Sequence, residues 1–135
     1  MNYNLIILFN RNLNKVLLIK RNKEPYKGKY NGVGGKINDK KELPIEAAYR
    51  EMFEEVGLSA RQTSLKMLLT LNYTTNSTLY VYYGIVDDRV EKKCDEGTLT
   101  WFPIVFLSNV FDNRFAGEGN LQYFISASLH DLGAI

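Results

Sequence analysis

The sequence has one cysteine, one histidine and no long apolar run. Cys94 stands alone, so an internal disulfide or a cluster of thiolates around zinc or iron is excluded. His130 has no serine or cysteine motif around it, and we expect it at the surface. The longest wholly apolar run is Leu5 to Phe9, whereas a membrane-spanning helix needs about 20 such residues. We therefore expect a cytoplasmic protein without a membrane partner.

Neither sign of charge dominates the composition. The chain has 17 basic and 15 acidic residues and a net charge of +2. This balance argues against a surface built to bind nucleic acid, and no nucleic-acid partner is expected. A length of 135 residues, 45% of them hydrophobic, suits one domain over residues 1–135 with an ordinary packed core.

The apolar and β-branched patterns predict an α+β protein with a mixed sheet. Two short aliphatic runs predict a first hairpin, and two longer runs rich in aromatic and β-branched residues predict a second one. Pro44 suits the first turn of a helix, and Gly57 stands where a C-terminal cap belongs. The predicted strands are residues 5–9, 16–20, 65–73, 78–86 and 99–102, and the predicted helices are 44–56 and 120–129.

The segment from Arg21 to Lys41 has no apolar pattern and is predicted to be irregular. Between residues 20 and 41 there are eight basic residues and two acidic ones. The glycine-rich stretch Gly32 to Lys36 lies within this region, and its exposed backbone N–H groups and lysine could hold phosphate oxygens. The alternative interpretation is a solvated basic loop.

Three glutamates lie close together on the first predicted helix. Glu51, Glu54 and Glu55 have spacings of three and four residues, which places their carboxylates on one side of the helix. Like charges at this spacing repel, so a counter-charge is expected beside them. Several carboxylate oxygens are the ligands that Mg²⁺ or Mn²⁺ prefers. A solvated acidic helix face bridged to lysines is the alternative.

The same helix and the loop before it resemble the signature of the Nudix hydrolases. The match covers glycine, glutamate and then the run Arg-Glu-aliphatic-any-Glu-Glu-any-Gly-aliphatic, although six residues rather than five separate Gly35 from Glu42. Residues 16–18, 28–37, 95–96 and 101–102 extend the resemblance to the MutT-type branch and to its oxidised-purine nucleoside triphosphatases. The signature residues are Gly35, Glu42, Arg50, Glu51, Met52, Glu54, Glu55, Gly57 and Leu58.

The resemblance implies the Nudix α/β/α sandwich and a set of site residues. The implied metal ligands are the Gly35 carbonyl and the carboxylates of Glu51, Glu54, Glu55 and Glu96. Glu51 is the first candidate for the general base and Glu54 the second, while Arg50 orients a glutamate. The implied substrate-binding residues are Arg21, Asn31, Gly34, Gly35, Lys36, Asp112 and Asn113.

The implied reaction is Mg²⁺-dependent hydrolysis of a nucleoside diphosphate linked to another group, with Mn²⁺ as a substitute. The leading hypothesis is a purine nucleoside triphosphate, in oxidised form such as 8-oxo-dGTP, cleaved to the monophosphate and pyrophosphate. A dinucleotide polyphosphate, ADP-ribose or a nucleotide sugar is the alternative substrate. A third hypothesis is a nucleotide-sensing module without catalysis. The partner is a small nucleotide, and a monomer or homodimer is expected.

Overall fold

The computed structural model describes residues 1–73, 76–87, 90 and 95–135. Within them, a seven-stranded sheet carries one α-helix on each face and a short 3₁₀ turn. The elements are β1 (Tyr3–Asn10), β2 (Lys15–Arg21), β3 (Tyr30–Asn31), β4 (Val33–Lys36), α1 (Pro44–Val56), β5 (Lys66–Tyr73), β6 (Ser77–Val86), β7 (Gly97–Pro103), the 3₁₀ turn Ile104–Leu107 and α2 (Asn120–Asp131).

Strand β1 lies at the centre of the sheet. It pairs parallel with β6 and antiparallel with β2 and β4. The sheet order is β3-β2-β1-β6-β5, and β7 pairs with β2 beside this path. The sheet is therefore mixed, as the sequence predicts.

The two faces of β1 build two separate cores, because successive side chains of a strand point to opposite sides. Leu5, Ile7 and Phe9 pack in the core that contains α2. Ile6 and Leu8 pack in the core that contains α1. The layers are helix, sheet and helix, so the predicted sandwich is confirmed.

Helix α1 begins and ends where the sequence predicts. Pro44 occupies its first turn, and the side chain of Glu46 accepts the Leu43 N–H at 2.7 Å. Gly57 caps the other end with a φ of 81°, and its N–H bonds to the Phe53 carbonyl at 2.9 Å. The buried face of the helix includes Ala48, Met52, Glu55 and Val56.

Both predicted hairpins and the closing helix are confirmed, whereas the irregular segment is only partly so. Residues 21–41 contain the short strands β3 and β4, which the pattern did not predict. His130 is exposed, as expected. Cys94 lies outside the described residues. No helix in the described part of the chain has the length and apolar character to cross a membrane.

Candidate active site

A cavity of about 520 Å³ opens between the two helical layers at the edge of the sheet. Its acidic wall contains Glu51 of α1 and Glu96, which directly precedes β7. Its aromatic wall contains Tyr26, Tyr73 and Phe124, which come from the loop after β2, from β5 and from α2. Strands β1 and β4 contribute the floor, including Asn4, Leu5, Gly34 and Gly35.

The backbone N–H groups of the glycine-rich stretch are already bonded within the protein. Gly34 N–H donates to Glu55 Oε2 at 2.9 Å, and Gly35 N–H donates to Asn4 Oδ1 at 3.0 Å. Gly32 N–H donates to Asn31 Oδ1 at 2.9 Å. The expectation that these N–H groups are exposed is therefore wrong, because neighbouring side chains accept the N–H groups of all three glycines. That the stretch holds phosphate stays a prediction.

Gly35 has no room for a side chain, because Glu51 lies directly against it. A Cβ at this position would meet Glu51 Oε1 at 2.7 Å. The Glu51 side chain is 13% exposed, and burial raises its pKa, opposed by Arg50 and assisted by Glu54. Glu51, the first candidate for the general base, thus lies partly shielded from water at the cavity.

Glu55 is the most buried acid of the cluster, at 6% exposure. Burial, followed by the neighbouring carboxylate of Glu96, raises its pKa to about 9. Its Oε2 accepts the Gly34 N–H, whereas its buried Oε1 has no hydrogen-bond donor. A buried carboxylate oxygen without a donor is expected to be neutralised by a proton or by a cation.

Arg50 contacts three carboxylates. Its Nε and Nη2 donate to the two oxygens of Glu42 at 2.9 and 2.7 Å. Its Nη1 lies 3.2 Å from Glu51 Oε1 and 3.2 Å from Glu54 Oε2, and Nη2 also donates to the Lys36 carbonyl at 3.2 Å. The guanidinium therefore joins the end of β4 to three acids around α1.

The extra residue between Gly35 and Glu42 is taken up by a closed turn. The Asn38 carbonyl accepts the N–H groups of both Lys41 and Glu42, at 2.9 and 3.0 Å. In return, Glu42 Oε1 accepts the Asn38 N–H at 2.9 Å. Because the turn closes on itself, Glu42 reaches Arg50 while Gly35 keeps its place against Glu51.

The NUDIX domain model matches residues 3–116. The chain belongs to the NUDIX domain family. It is thus a Nudix hydrolase, as the sequence predicts. The matched range holds the acidic wall of the cavity and ends before α2, which supplies Asn120 and Phe124 to the aromatic side.

Solved structures with the same fold are only distantly similar in sequence. The NUDIX domain of Shewanella oneidensis NrtR, complexed with ADP ribose, is 17% identical with a TM-score of 0.75, over 98% of this chain and 88% of that one. The Escherichia coli dihydroneopterin triphosphate pyrophosphohydrolase is 15% identical with a TM-score of 0.76, over 96% and 95%. A MutT protein from Methanosarcina mazei Go1 is 18% identical with a TM-score of 0.73, over 97% and 94%.

The donor set of the Nudix helix fits a hard divalent cation in its chemistry. Its groups are oxygen ligands, and the donor-free Oε1 of Glu55 is a buried acceptor for positive charge. In the described residues no three acidic, histidine or cysteine side chains converge as a ready cluster. Glu51 and Glu54 are held by Arg50, and the Glu54 side chain is 54% exposed. These side chains would have to turn inward to share one ion.

Most of the predicted substrate residues line the Nudix cavity. They are Arg21, Asn31, Gly34, Gly35 and Lys36. Arg21 also lies 3.6 Å from Glu96 and donates to the Pro25 carbonyl at 2.7 Å. Arg21, the last residue of β2, therefore contacts both the acidic wall and the loop that carries Tyr26.

The structure does not bring Asp112 and Asn113 to the cavity. Asp112 pairs with Arg114 at 2.7 Å, and that guanidinium lies over the rings of Phe102 and Phe115. Asn113 is exposed outside the lining. The Asp112 carboxylate thus holds the Arg114 guanidinium over the aromatic core, so these two implied substrate-binding residues lie outside the cavity lining.

The cavity residues that the sequence analysis did not name include Asn4, Tyr26, Tyr73 and Asn120. Tyr26 lies in the loop after β2, Tyr73 ends β5 and Asn120 begins α2, and tyrosine and asparagine carry no distinctive pattern at these positions. Tyr26 donates to the Glu118 carboxylate at 3.2 Å, and burial followed by Glu118 raises the pKa of its phenol. Asn4 did carry a signal, because it directly precedes the apolar run that begins at Leu5.

Proposed function

We propose that this Nudix hydrolase belongs to the MutT-type branch and is a Mg²⁺-dependent pyrophosphohydrolase of purine nucleoside triphosphates, including oxidised forms such as 8-oxo-dGTP. Its products are the nucleoside monophosphate and pyrophosphate. The observation that carries the proposal is the single cavity that joins the acidic pair Glu51 and Glu96 to the aromatic side chains of Tyr26, Tyr73 and Phe124. A nucleotide has the matching form, with a charged phosphate chain at one end and a flat ring at the other.

The acidic wall supplies the groups that the hydrolysis needs. Mg²⁺ held by the Gly35 carbonyl and by Glu51, Glu54, Glu55 and Glu96 would neutralise phosphate oxygens and lower the pKa of a bound water. Glu51 would take the proton from the attacking water. It borders the cavity, whereas Glu54 does not, and burial moves its pKa upward, toward the range of an effective base.

The cationic side chains suit the phosphate chain. Arg21 and Lys36 line the cavity, and Lys36 is exposed enough to follow a bound ligand. Arg50 is occupied by carboxylates and the Lys36 carbonyl, so its role is to hold Glu51 in orientation rather than to bind substrate.

The aromatic wall suits a purine. Tyrosine rings provide faces on which a heterocycle stacks, and the amides of Asn31 and Asn120 offer donors and acceptors for a base edge. Because Asn120 and Phe124 lie beyond the family match, this wall is where selectivity among nucleotides would arise.

The test is a turnover screen with Mg²⁺ and identified products. Its arms are ordinary and oxidised purine nucleoside triphosphates, dihydroneopterin triphosphate, ADP-ribose, a nucleotide sugar and a dinucleotide polyphosphate. We expect kcat/KM to be highest for a purine nucleoside triphosphate, with pyrophosphate released. Equal rates on several classes, or preference for another arm, would refute the substrate assignment.

Two variants separate catalysis from binding. Glu51→Gln is expected to lower kcat at least about 100-fold, because it removes a general base. Glu46→Gln is the control, since this glutamate lies on the same helix but is exposed and outside the cavity. A protein that binds nucleotides without turning any of them over would instead be the sensing module of the third hypothesis.

A further inference from the structure

Asn4 is a buried polar residue in the central strand. It is 3% exposed, and the next five residues of β1 are all apolar and buried. By strand alternation it shares the face of Ile6 and Leu8, which pack in the core of α1. An amide in this position is costly unless a specific bond uses it.

The bond that uses it is made to β4. Asn4 Oδ1 accepts the Gly35 N–H at 3.0 Å, which fixes the oxygen end of the amide. Glu55 Oε2 accepts the preceding N–H, of Gly34. Gly34 has a φ of 149°. This conformation lets two consecutive N–H groups turn toward side chains on the face of the sheet that α1 covers. The two acceptors therefore hold the glycine pair from the same side.

The position of Gly35 in turn determines where Glu51 can lie. The carboxylate is so close to this glycine that a Cβ would be 2.7 Å from Oε1. A shift of the β4 backbone by a fraction of that distance would either crowd Glu51 or leave a gap beside it. Displacements of about 1 Å at a reacting group can lower a rate about 100-fold.

We propose that Asn4 is a positioning residue for the hydrolysis: its Oδ1 fixes the Gly35 backbone, and Gly35 fixes the Glu51 carboxylate. The rate effect rests on the proposed function, whereas the effect on the Gly35 backbone does not. Asn4 acts only through Gly35 and needs no contact with the substrate.

The same strand provides a matched control. Asn10, at its other end, is also a buried asparagine, and its Oδ1 accepts the N–H groups of Asn14 and Lys15 at 3.0 and 2.9 Å. It lies outside the cavity lining. Asn4→Leu and Asn10→Leu therefore remove the same kind of bond from the same strand, near the site and away from it.

The first measurement is hydrogen exchange of individual amides by NMR in the metal-free and substrate-free protein. Asn4→Leu is expected to speed amide exchange at Gly35 by about tenfold or more. The exchange rate of Gly34 should stay unchanged, because Glu55 still accepts its N–H. Asn4→Asp keeps an acceptor oxygen and is expected to keep Gly35 protected. Asn10→Leu is expected to leave both glycines unchanged. Unchanged Gly35 exchange in Asn4→Leu, or lost protection in Asn4→Asp, would overturn the proposal.

The second measurement is steady-state kinetics on the best substrate of the screen. Asn4→Leu is expected to lower kcat about tenfold or more, with KM within threefold of the wild type, whereas Asn10→Leu keeps kcat within twofold. Equal losses in the two leucine variants would show a general packing effect and refute the positioning role. If the wild-type protein turns over no nucleotide, the proposed function fails, and the exchange results still decide the role of Asn4 at Gly35.

Discussion

Arg50 holds Glu42 with two nitrogen atoms, Nε at 2.9 Å and Nη2 at 2.7 Å from the two carboxylate oxygens. This paired geometry matches the planar guanidinium to a carboxylate, and a lysine cannot reproduce it. The remaining Nη1 is left to Glu51 and Glu54. A single cation therefore fixes the loop after β4 to the acidic side of α1.

Arg50→Lys is expected to lower the free energy of unfolding by about 1 to 2 kcal/mol, because it removes charge-assisted hydrogen bonds. The effect stays modest because the Arg50 side chain is 37% exposed, so solvent partly screens its charge. Urea denaturation measures the change. Arg11→Lys is the control, since its pair with Asp87 is exposed on both sides and should contribute little. Equal losses in both variants would contradict the structural role of Arg50.

Because of Glu42, the free energy of unfolding should depend on pH in the acidic range. Its bond to Arg50, followed by the Asn38 N–H, lowers its pKa from 4.5 to about 2. A folded-state pKa below the unfolded value stabilises the protein above about pH 4.5, and this contribution is lost as the pH falls toward 2. Glu42→Gln is therefore expected to be less stable than the wild type at neutral pH and to approach it below pH 4. Parallel curves from pH 7 to pH 2, measured by denaturation, would contradict the assignment.

Gly35→Ala is expected to separate activity from stability. The three heavy atoms nearest to the new Cβ all belong to the flexible end of Glu51, so that side chain moves away and the free energy of unfolding falls by less than about 1 kcal/mol. The displaced carboxylate should lower kcat by at least about tenfold. Thermal unfolding and steady-state rates are measured on the same preparation. A variant with unchanged kcat would show that the contact between Gly35 and Glu51 is not needed.

Tyr26→Phe is expected to raise KM about two- to fivefold and to leave kcat unchanged. The phenol joins the loop after β2 to Glu118, and losing one such bond loosens the aromatic wall. Tyr123→Phe is the control, because Tyr123 is an exposed residue of α2 outside the cavity. A lower kcat with an unchanged KM would place Tyr26 nearer to the reacting groups than the cavity wall.

The parts that the sequence predicted correctly depend on local patterns. Helix α1 follows from apolar spacing between Pro44 and Gly57. The first hairpin follows from two aliphatic runs, and the second follows from two runs rich in aromatic and β-branched residues. The Nudix signature is contained in one continuous stretch, which already includes Glu51. Glu96, the other residue of the acidic wall, lies outside the signature and follows only from the wider resemblance.

The parts that the sequence did not predict depend on partners far along the chain. The backbone donors of Gly34 and Gly35 look free in the sequence, because Glu55 and Asn4 lie 21 and 31 residues away. Asp112 looks available for a substrate in the sequence. Its partner Arg114 is only two residues away, but the guanidinium lies over the ring of Phe102 on β7, a contact between distant parts of the chain. Strand β4 has two glycines in four residues and exists through its pairing with β1.

The bond between Tyr26 and Glu118 joins residues 92 positions apart. During synthesis on the ribosome, the segment with the acidic helix emerges long before α2 does. Such a growing chain could already carry its cluster of glutamates, but the side of the cavity that α2 supplies would still be missing. Recognition of the heterocycle should therefore be acquired only after α2 has emerged, so that a truncation that ends the chain before Glu118 would leave the acids without a selective binding cavity.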